Sequence, residues 1–163
     1  MLRNATPAPD FTLPDSEGQT CSLAGLRSGG PLLLAFFRGA FCPTAQRDLM
    51  NLANVAGRIA SLGAHVAAVS TTPPEEARRM RQTLGLPFPI LTDADFAVSE
   101  QYGVYRSDET EEGPQPHGEP ATFILDVDGK IAYSQIQTGP KGTADPNALA
   151  LVLLYMSQHG GRY

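Results

Sequence analysis

The stretch Leu32-Leu33-Leu34-Ala35-Phe36-Phe37-Arg38-Gly39-Ala40-Phe41-Cys42-Pro43-Thr44-Ala45 decides how this chain folds. From Pro31 to Phe37 it is a continuous apolar run between Gly29-Gly30 and Arg38-Gly39, the pattern of a strand buried on both faces in the middle of a sheet. Arg38 and Gly39 open a short loop, and Pro43 suits the first position of a helix, which makes Cys42 the N-cap. A thiol there meets unpaired backbone N–H groups and the positive end of the helix dipole, which favour the thiolate, and Arg38 adds positive charge if it points inward.

Outward from that stretch, Leu49, Leu52, Val55, Ala56, Ile59 and Leu62 recur at helical spacing, predicting a long amphipathic helix from Thr44 to Leu62. Ala64 to Ser70 reads as a second buried strand. Thr72-Pro73-Pro74-Glu75 reads as a capping box that opens a second helix running to about Leu84. Phe88 to Leu91 is extended but, with prolines at 87 and 89, not a central strand. Asp95 to Tyr102 predicts a short helix stopped by Gly103. Two strands, Ala121 to Asp126 and Lys130 to Gln137, meet at the turn Asp128-Gly129. A nearly all-apolar helix from Asp145-Pro146 to Met156 is expected to lie buried on the sheet. Upstream, Phe11 to Pro14 and Gln19 to Ser22 flank the turn Asp15-Ser16-Glu17-Gly18 as an N-terminal hairpin. The order of elements predicts an α/β chain, a mixed sheet with helices on both faces, and residues 1–163 are expected to form one domain.

Composition narrows the function. With 163 residues, 42% hydrophobic and 18% charged, the chain can bury a sizeable core. A net charge of -5 without a Lys/Arg cluster argues against a nucleic-acid partner. No apolar run approaches the roughly 20 residues of a membrane helix. The N-terminal residues lack the apolar centre of a signal peptide, so a cytoplasmic protein with no membrane partner is expected, its two cysteines reduced or catalytic. Cysteine and histidine spacings fit no metal site, glycine-rich phosphate loops are missing, and no cofactor is expected.

Several segments together resemble one family: Pro9-Asp10-Phe11-Thr12-Leu13; Phe37-Arg38-Gly39 followed by Cys42-Pro43; Gly63 to Ser70; Leu84-Gly85-Leu86-Pro87-Phe88-Pro89-Ile90-Leu91-Thr92-Asp93; and Pro120 to Asp126. In this order, from residue 9 to about 137, they resemble the peroxiredoxin-like (AhpC/TSA, redoxin) branch of the thioredoxin superfamily. The resemblance implies a thioredoxin fold with Cys42 at the start of the first main helix and Pro120 as the cis-proline facing it. It also implies thiol-dependent reduction of hydroperoxides or disulfides through a sulfenic acid or mixed disulfide.

Counting from the strand, thioredoxin-like relatives place the nucleophile five residues after the last aromatic and its partner three later; here these positions are Cys42 and Ala45. By that count the peroxide-attacking position of typical peroxiredoxins is Ala45. Matching Cys42-Pro43-Thr44 to their Cys-Pro-Thr word instead needs a loop three residues shorter, and the strand-to-helix distance is the firmer constraint. Many peroxiredoxins carry arginine where Pro120 stands, so Arg38 is the substitute charge. A Glu119 carboxylate near the thiol would oppose its ionisation.

The candidate site is therefore Cys42 as sole nucleophile, Arg38 as its cation and Pro120 as the positioning residue. Cys21 reads as a strand side chain packed on the sheet. Residues Ser107 to Glu119, with the carboxylates Asp108, Glu109, Glu111 and Glu112, read as a solvated loop, and His117 as a solvated loop histidine. His65 and His159 read as structural. The expected function is a thiol-dependent oxidoreductase acting on a peroxide or disulfide. A small-molecule thiol such as glutathione, or a redoxin, is the expected reductant, and a homodimer follows the habit of such redoxins. The alternatives are a monothiol disulfide exchanger and a noncatalytic redoxin module that binds or regulates.

Overall fold

The computed structural model describes residues 2–107 and 116–163. The hairpin is β1 (Thr12–Pro14) and β2 (Thr20–Ser22), antiparallel with Leu13 opposite Cys21. A short helix that the sequence pattern did not announce follows, α1 (Leu23–Arg27), capped by the Ser22 side chain accepting from Gly25 N–H. Then come β3 (Leu32–Phe36), α2 (Pro43–Ser61), β4 (His65–Ser70), α3 (Pro74–Leu84), β5 (Ile90–Thr92), α4 (Ala97–Gln101), β6 (Ala121–Leu125), β7 (Ile131–Ile136) and α5 (Pro146–Ser157).

Five strands form one mixed sheet in the order β5-β4-β3-β6-β7. β3 is its middle strand, parallel to β4 and antiparallel to β6. That place explains the unbroken apolar run: alternate residues feed two cores, one on each face. Leu33 and Phe37 pack with Leu49, Leu52 and Ile59 of α2 and Leu149 and Leu153 of α5, whereas Leu32, Leu34 and Phe36 pack with Phe11, Leu13, Tyr102 and Phe123 on the other side. β5 lies at the sheet edge, where the prolines at 87 and 89 cost no central ladder bonds.

Two expectations need correction, and a third is refined. The predicted capping box does not form: the N-cap of α3 is Pro73, without a side-chain cap, and the Thr72 hydroxyl is engaged elsewhere. Proline supplies the helix start instead, since its fixed φ suits the first turn without any cap. The last helix does lie buried on the sheet, with Leu149, Ala150, Leu153 and Met156 facing the core, while Leu151, Leu154 and Tyr155 on its outer side are exposed. An apolar helix on the outer layer has only one face to bury. Finally, the segment read as a solvated loop buries both of its ends, with Ser107, His117 and Glu119 almost inaccessible. The four carboxylates of its acidic run lie outside the described residues.

Candidate functional site around Cys42

The chain leaves the sheet after Phe37, whose N–H still reaches the Val69 carbonyl at 3.0 Å. Gly39 then turns it with φ +149°, and a Cβ there would sit 2.8 Å from the Phe41 ring, so only glycine fits without moving that ring. The loop is pinned from two sides. Ala40 N–H donates to Thr72 Oγ1 at 3.1 Å, and Gln46 Nε2 donates to the Ala40 carbonyl at 2.6 Å. Cys42 N–H closes a turn onto the Gly39 carbonyl at 3.2 Å.

Cys42 is the N-cap of α2, in extended backbone conformation and with its side chain not used as a cap. Its carbonyl accepts from Gln46 N–H, the first helical bond, and helix geometry leaves the earlier N–H groups of Thr44 and Ala45 without intrahelical acceptors. The sulfur is thus free for chemistry at the positive end of a 19-residue helix. Arg38 points inward: Nη1 donates to Cys42 Sγ at 3.4 Å.

The same guanidinium is paired with Glu119, Nε to Oε2 at 3.1 Å, both side chains 5% exposed. Its Cζ lies 5.5 Å from the centre of the Phe41 ring, and His117 meets the same ring edge-on at 5.1 Å. Glu119 therefore does not approach the thiol as an isolated repelling charge. Its charge is met by Arg38 in a buried ion pair.

Glu119 and His117 are held by backbone bonds across the base of the loop. Ser107 N–H donates to the His117 carbonyl at 2.9 Å and Glu119 N–H to the Tyr105 carbonyl at 2.8 Å, while Thr71 Oγ1 donates to the Pro116 carbonyl at 2.6 Å. Gly118 between them has no room for a side chain, because a Cβ would lie 2.7 Å from Val104 Cγ1 and 2.9 Å from Phe96 Cε2. His117 and Glu119 join the site although their surroundings in sequence are polar and rich in Pro and Gly. The one sequence signal was position: Glu119 immediately precedes Pro120 and β6.

Pro120 is buried, and its carbonyl accepts from Gln137 N–H at 3.0 Å. It lines an apolar recess together with Phe37 and Ala45, and its link to Cys42 runs through Glu119 and Arg38. Ala45, where the spacing puts the second cysteine, is buried one helical turn beyond Cys42.

Cys21 belongs to a different part of the molecule. It packs against the core on the hairpin side of the sheet, whereas Cys42 belongs to the core on the α2 side. Its Sγ lies 3.7 Å from Asp15 Oδ2, and burial together with that carboxylate pushes the Cys21 thiol up from its ordinary value. Both cysteines are free thiols. Among the described residues, no three His, Cys, Asp or Glu side chains gather as a metal would need, and no helix is long and apolar enough to cross a membrane.

The AhpC/TSA family model matches residues 5–134. A putative peroxiredoxin of Mycobacterium tuberculosis is 32% identical over 141 residues, covering 83% of this chain and 85% of that protein. Alkyl hydroperoxide reductase E of the same organism is 32% identical over 139 residues, covering 84% and 87%. Among solved structures, peroxidoxin BcpB of Mycobacterium tuberculosis superposes with a TM-score of 0.80 at 24% identity, covering 98% of each chain, and so shares the fold. By the family model across most of its length and by these relatives, the chain belongs to the AhpC/TSA family, the peroxiredoxin-type thiol oxidoreductases of the thioredoxin superfamily.

Proposed function

We propose that this chain reduces hydroperoxides with Cys42 as its sole nucleophile, Arg38 as the cation beside the sulfur, Pro120 as the positioning residue, and an external thiol as reductant. The observation that carries the reading is the buried contact of Arg38 Nη1 with Cys42 Sγ at 3.4 Å at the N-terminus of α2. A hydrogen bond to a charged group contributes about 1.5–3 kcal/mol, so the guanidinium is placed to hold negative charge as it moves through the attacking sulfur.

In the first half-reaction the Cys42 thiolate attacks the terminal oxygen of the hydroperoxide. The O–O bond breaks, the sulfur is oxidised to a sulfenic acid, and the alkoxide leaves as alcohol after taking a proton from solvent. A thiol from outside then displaces water from the sulfenic acid to give a mixed disulfide, and a second thiol releases Cys42 with formation of the external disulfide. Ala45 offers no local thiol for this step, and Cys21 packs on the opposite face of the sheet. Glutathione or a redoxin fits the role in the cytoplasm, where thiols are kept reduced.

Burial favours peroxide over monothiol disulfide exchange. Cys42 is only 5% exposed, which admits the end of a small hydroperoxide more readily than the disulfide of a folded partner. The test is consumption of hydrogen peroxide and an organic hydroperoxide by wild type and Cys42→Ser with dithiothreitol as reductant, alongside dimedone capture of the sulfenic acid. Turnover and capture in the wild type, both lost in the variant, are expected. Undiminished consumption by Cys42→Ser rejects Cys42, and a folded wild type that consumes no peroxide leaves the exchanger or the noncatalytic module.

A further inference from the structure

Ser70 closes β4, and the next two residues, Thr71 and Thr72, send their hydroxyls to two different loops. Thr72 Oγ1 accepts from Ala40 N–H at 3.1 Å, in the loop that carries Arg38 and Cys42. Thr71 Oγ1 donates to the Pro116 carbonyl at 2.6 Å, where the stretch that carries His117 and Glu119 begins. One dipeptide is thus bonded to the chain beside each member of the buried Arg38–Glu119 pair.

The dipeptide is itself tied to the sheet and cannot follow either loop. Thr72 N–H donates to Ser70 Oγ at 3.1 Å, the Thr72 carbonyl accepts from Thr92 Oγ1 of β5 at 2.7 Å, and Asp93 N–H donates to the Ser70 carbonyl at 2.8 Å. Ser70, Thr72, Thr92 and Asp93 are all buried, where a hydrogen bond is costly to leave unmade. The Cys42 loop also sits close against Thr72, since a Cβ on Gly39 would stand 3.3 Å from Thr72 Oγ1. The Ala40 peptide is held at both ends, its N–H by Thr72 and its carbonyl by Gln46. Ala40 stands two residues from both Arg38 and Cys42, so a shift of this peptide reaches the 3.4 Å contact between Nη1 and Sγ.

We propose that Thr71 and Thr72 are positioning residues for the thiol: anchored where β4 and β5 end, they hold the Arg38 loop and the Glu119 loop in register, so that the guanidinium meets Cys42 Sγ. They act through Arg38. The inference deepens the peroxide reading and rests on it for turnover, while the reactivity of the thiol tests it without peroxide.

The experiment follows alkylation of Cys42 by iodoacetamide at neutral pH, read by mass mapping of its peptide, in Thr72→Val, Thr72→Ser and Thr71→Val, each made in the wild type and in Arg38→Met. Valine keeps the branched shape of threonine and removes the hydroxyl. In the wild-type background both valine variants are expected to slow alkylation by about twofold to tenfold, the rate equivalent of one hydrogen bond. Thr72→Ser, which keeps the acceptor, is expected to retain most of the wild-type rate. In Arg38→Met the valine substitutions are expected to leave the rate unchanged, because the group they position is gone. An unchanged rate in either valine variant overturns the role of that threonine. Equal slowing with and without Arg38, or equal slowing by serine and valine at position 72, marks a merely structural effect and overturns the proposal. If circular dichroism shows Thr72→Val unfolded, Thr71→Val, at a half-buried position, decides in the same way. A wild type that consumes no peroxide while the alkylation pattern holds sinks the peroxide reading alone.

Discussion

Arg38 holds two buried partners at once, Cys42 Sγ at 3.4 Å through Nη1 and Glu119 Oε2 at 3.1 Å through Nε. The cation is thereby shared between a thiol and a carboxylate, and substitutions at the two ends should separate the proposed function from stability. In Arg38→Met the sulfur loses its charge partner and Glu119 is left buried without one. Reaction of Cys42 with iodoacetamide at neutral pH should fall about tenfold to a hundredfold, matching a lost hydrogen bond to a charged group of about 1.5–3 kcal/mol. Stability by urea denaturation should fall by about 3–5 kcal/mol, the usual cost of breaking a buried pair from one side. Adding Glu119→Gln should restore much of the stability and none of the reactivity. Recovery of both would mean that Arg38 acts only as a structural counter-ion.

The two thiols should behave differently. Burial comes first, followed by the charge and hydrogen bond of Asp15, in holding the Cys21 thiol protonated. Asp15→Asn removes the charge while keeping oxygen acceptors for the N–H groups of Glu17 and Gln19. Cys21 should then alkylate faster near pH 8, as read by mass mapping of its peptide. Cys21→Ser should leave peroxide turnover as it was, because Cys21 and Cys42 pack in cores on opposite faces of the sheet. Loss of turnover in that variant would make Cys21 a resolving thiol after all.

Where packing follows a simple period, the sequence was a sufficient guide. The run ending at Phe37 had to be a central strand because both of its faces are apolar, and Cys42 had to cap a helix because Pro43 begins one. Thr72 misled because a hydroxyl three residues before a glutamate has two uses, and here tertiary structure spends it on Ala40 N–H in another loop. The loop that carries His117 was read as solvated for a related reason, although Glu119 at its end was expected near the thiol. Their burial depends on Arg38, Phe41 and the carbonyl of Tyr105, all distant in sequence, and local composition carries no trace of such partners. The exposed side of α5 escaped notice because an all-apolar helix has no periodicity to tell its faces apart.

Alkaline stability should report on Tyr102. Its hydroxyl donates to the Pro9 carbonyl at 2.7 Å, and burial, with the charge of Asp10, pushes its ionisation far above that of an ordinary tyrosine, against a small opposing effect of Arg27. A folded-state pKa raised in this way contributes stability that is complete below the unfolded value of about 10 and is lost as pH rises toward the folded value. Tyr102→Phe should cost about 1 kcal/mol near neutrality for the lost hydrogen bond. The deficit should shrink above pH about 10, where only the wild type has a phenol that must stay protonated to fold. Urea midpoints at a series of pH values would show it, and a deficit that stays constant or grows would contradict the assignment.

Gly118 offers the sharpest test that the loop base, rather than Arg38 alone, sets the site. A methyl group at 118 would meet Val104 Cγ1 at 2.7 Å and the Phe96 ring at 2.9 Å. Both neighbours are buried, so the strain is relieved by moving the segment that carries His117 and Glu119. Gly118→Ala should therefore cost about 1–3 kcal/mol of stability, as overpacked sites do. It should also slow alkylation of Cys42 although the substitution touches neither the thiol nor Arg38. Repacking room is the control: Gly118→Ala combined with Val104→Ala removes the shorter contact, and alkylation should recover toward the wild-type rate. If Gly118→Ala lowers stability while Cys42 reacts as before, Arg38 keeps its aim without Glu119 being held in register, and the positioning role of that carboxylate falls.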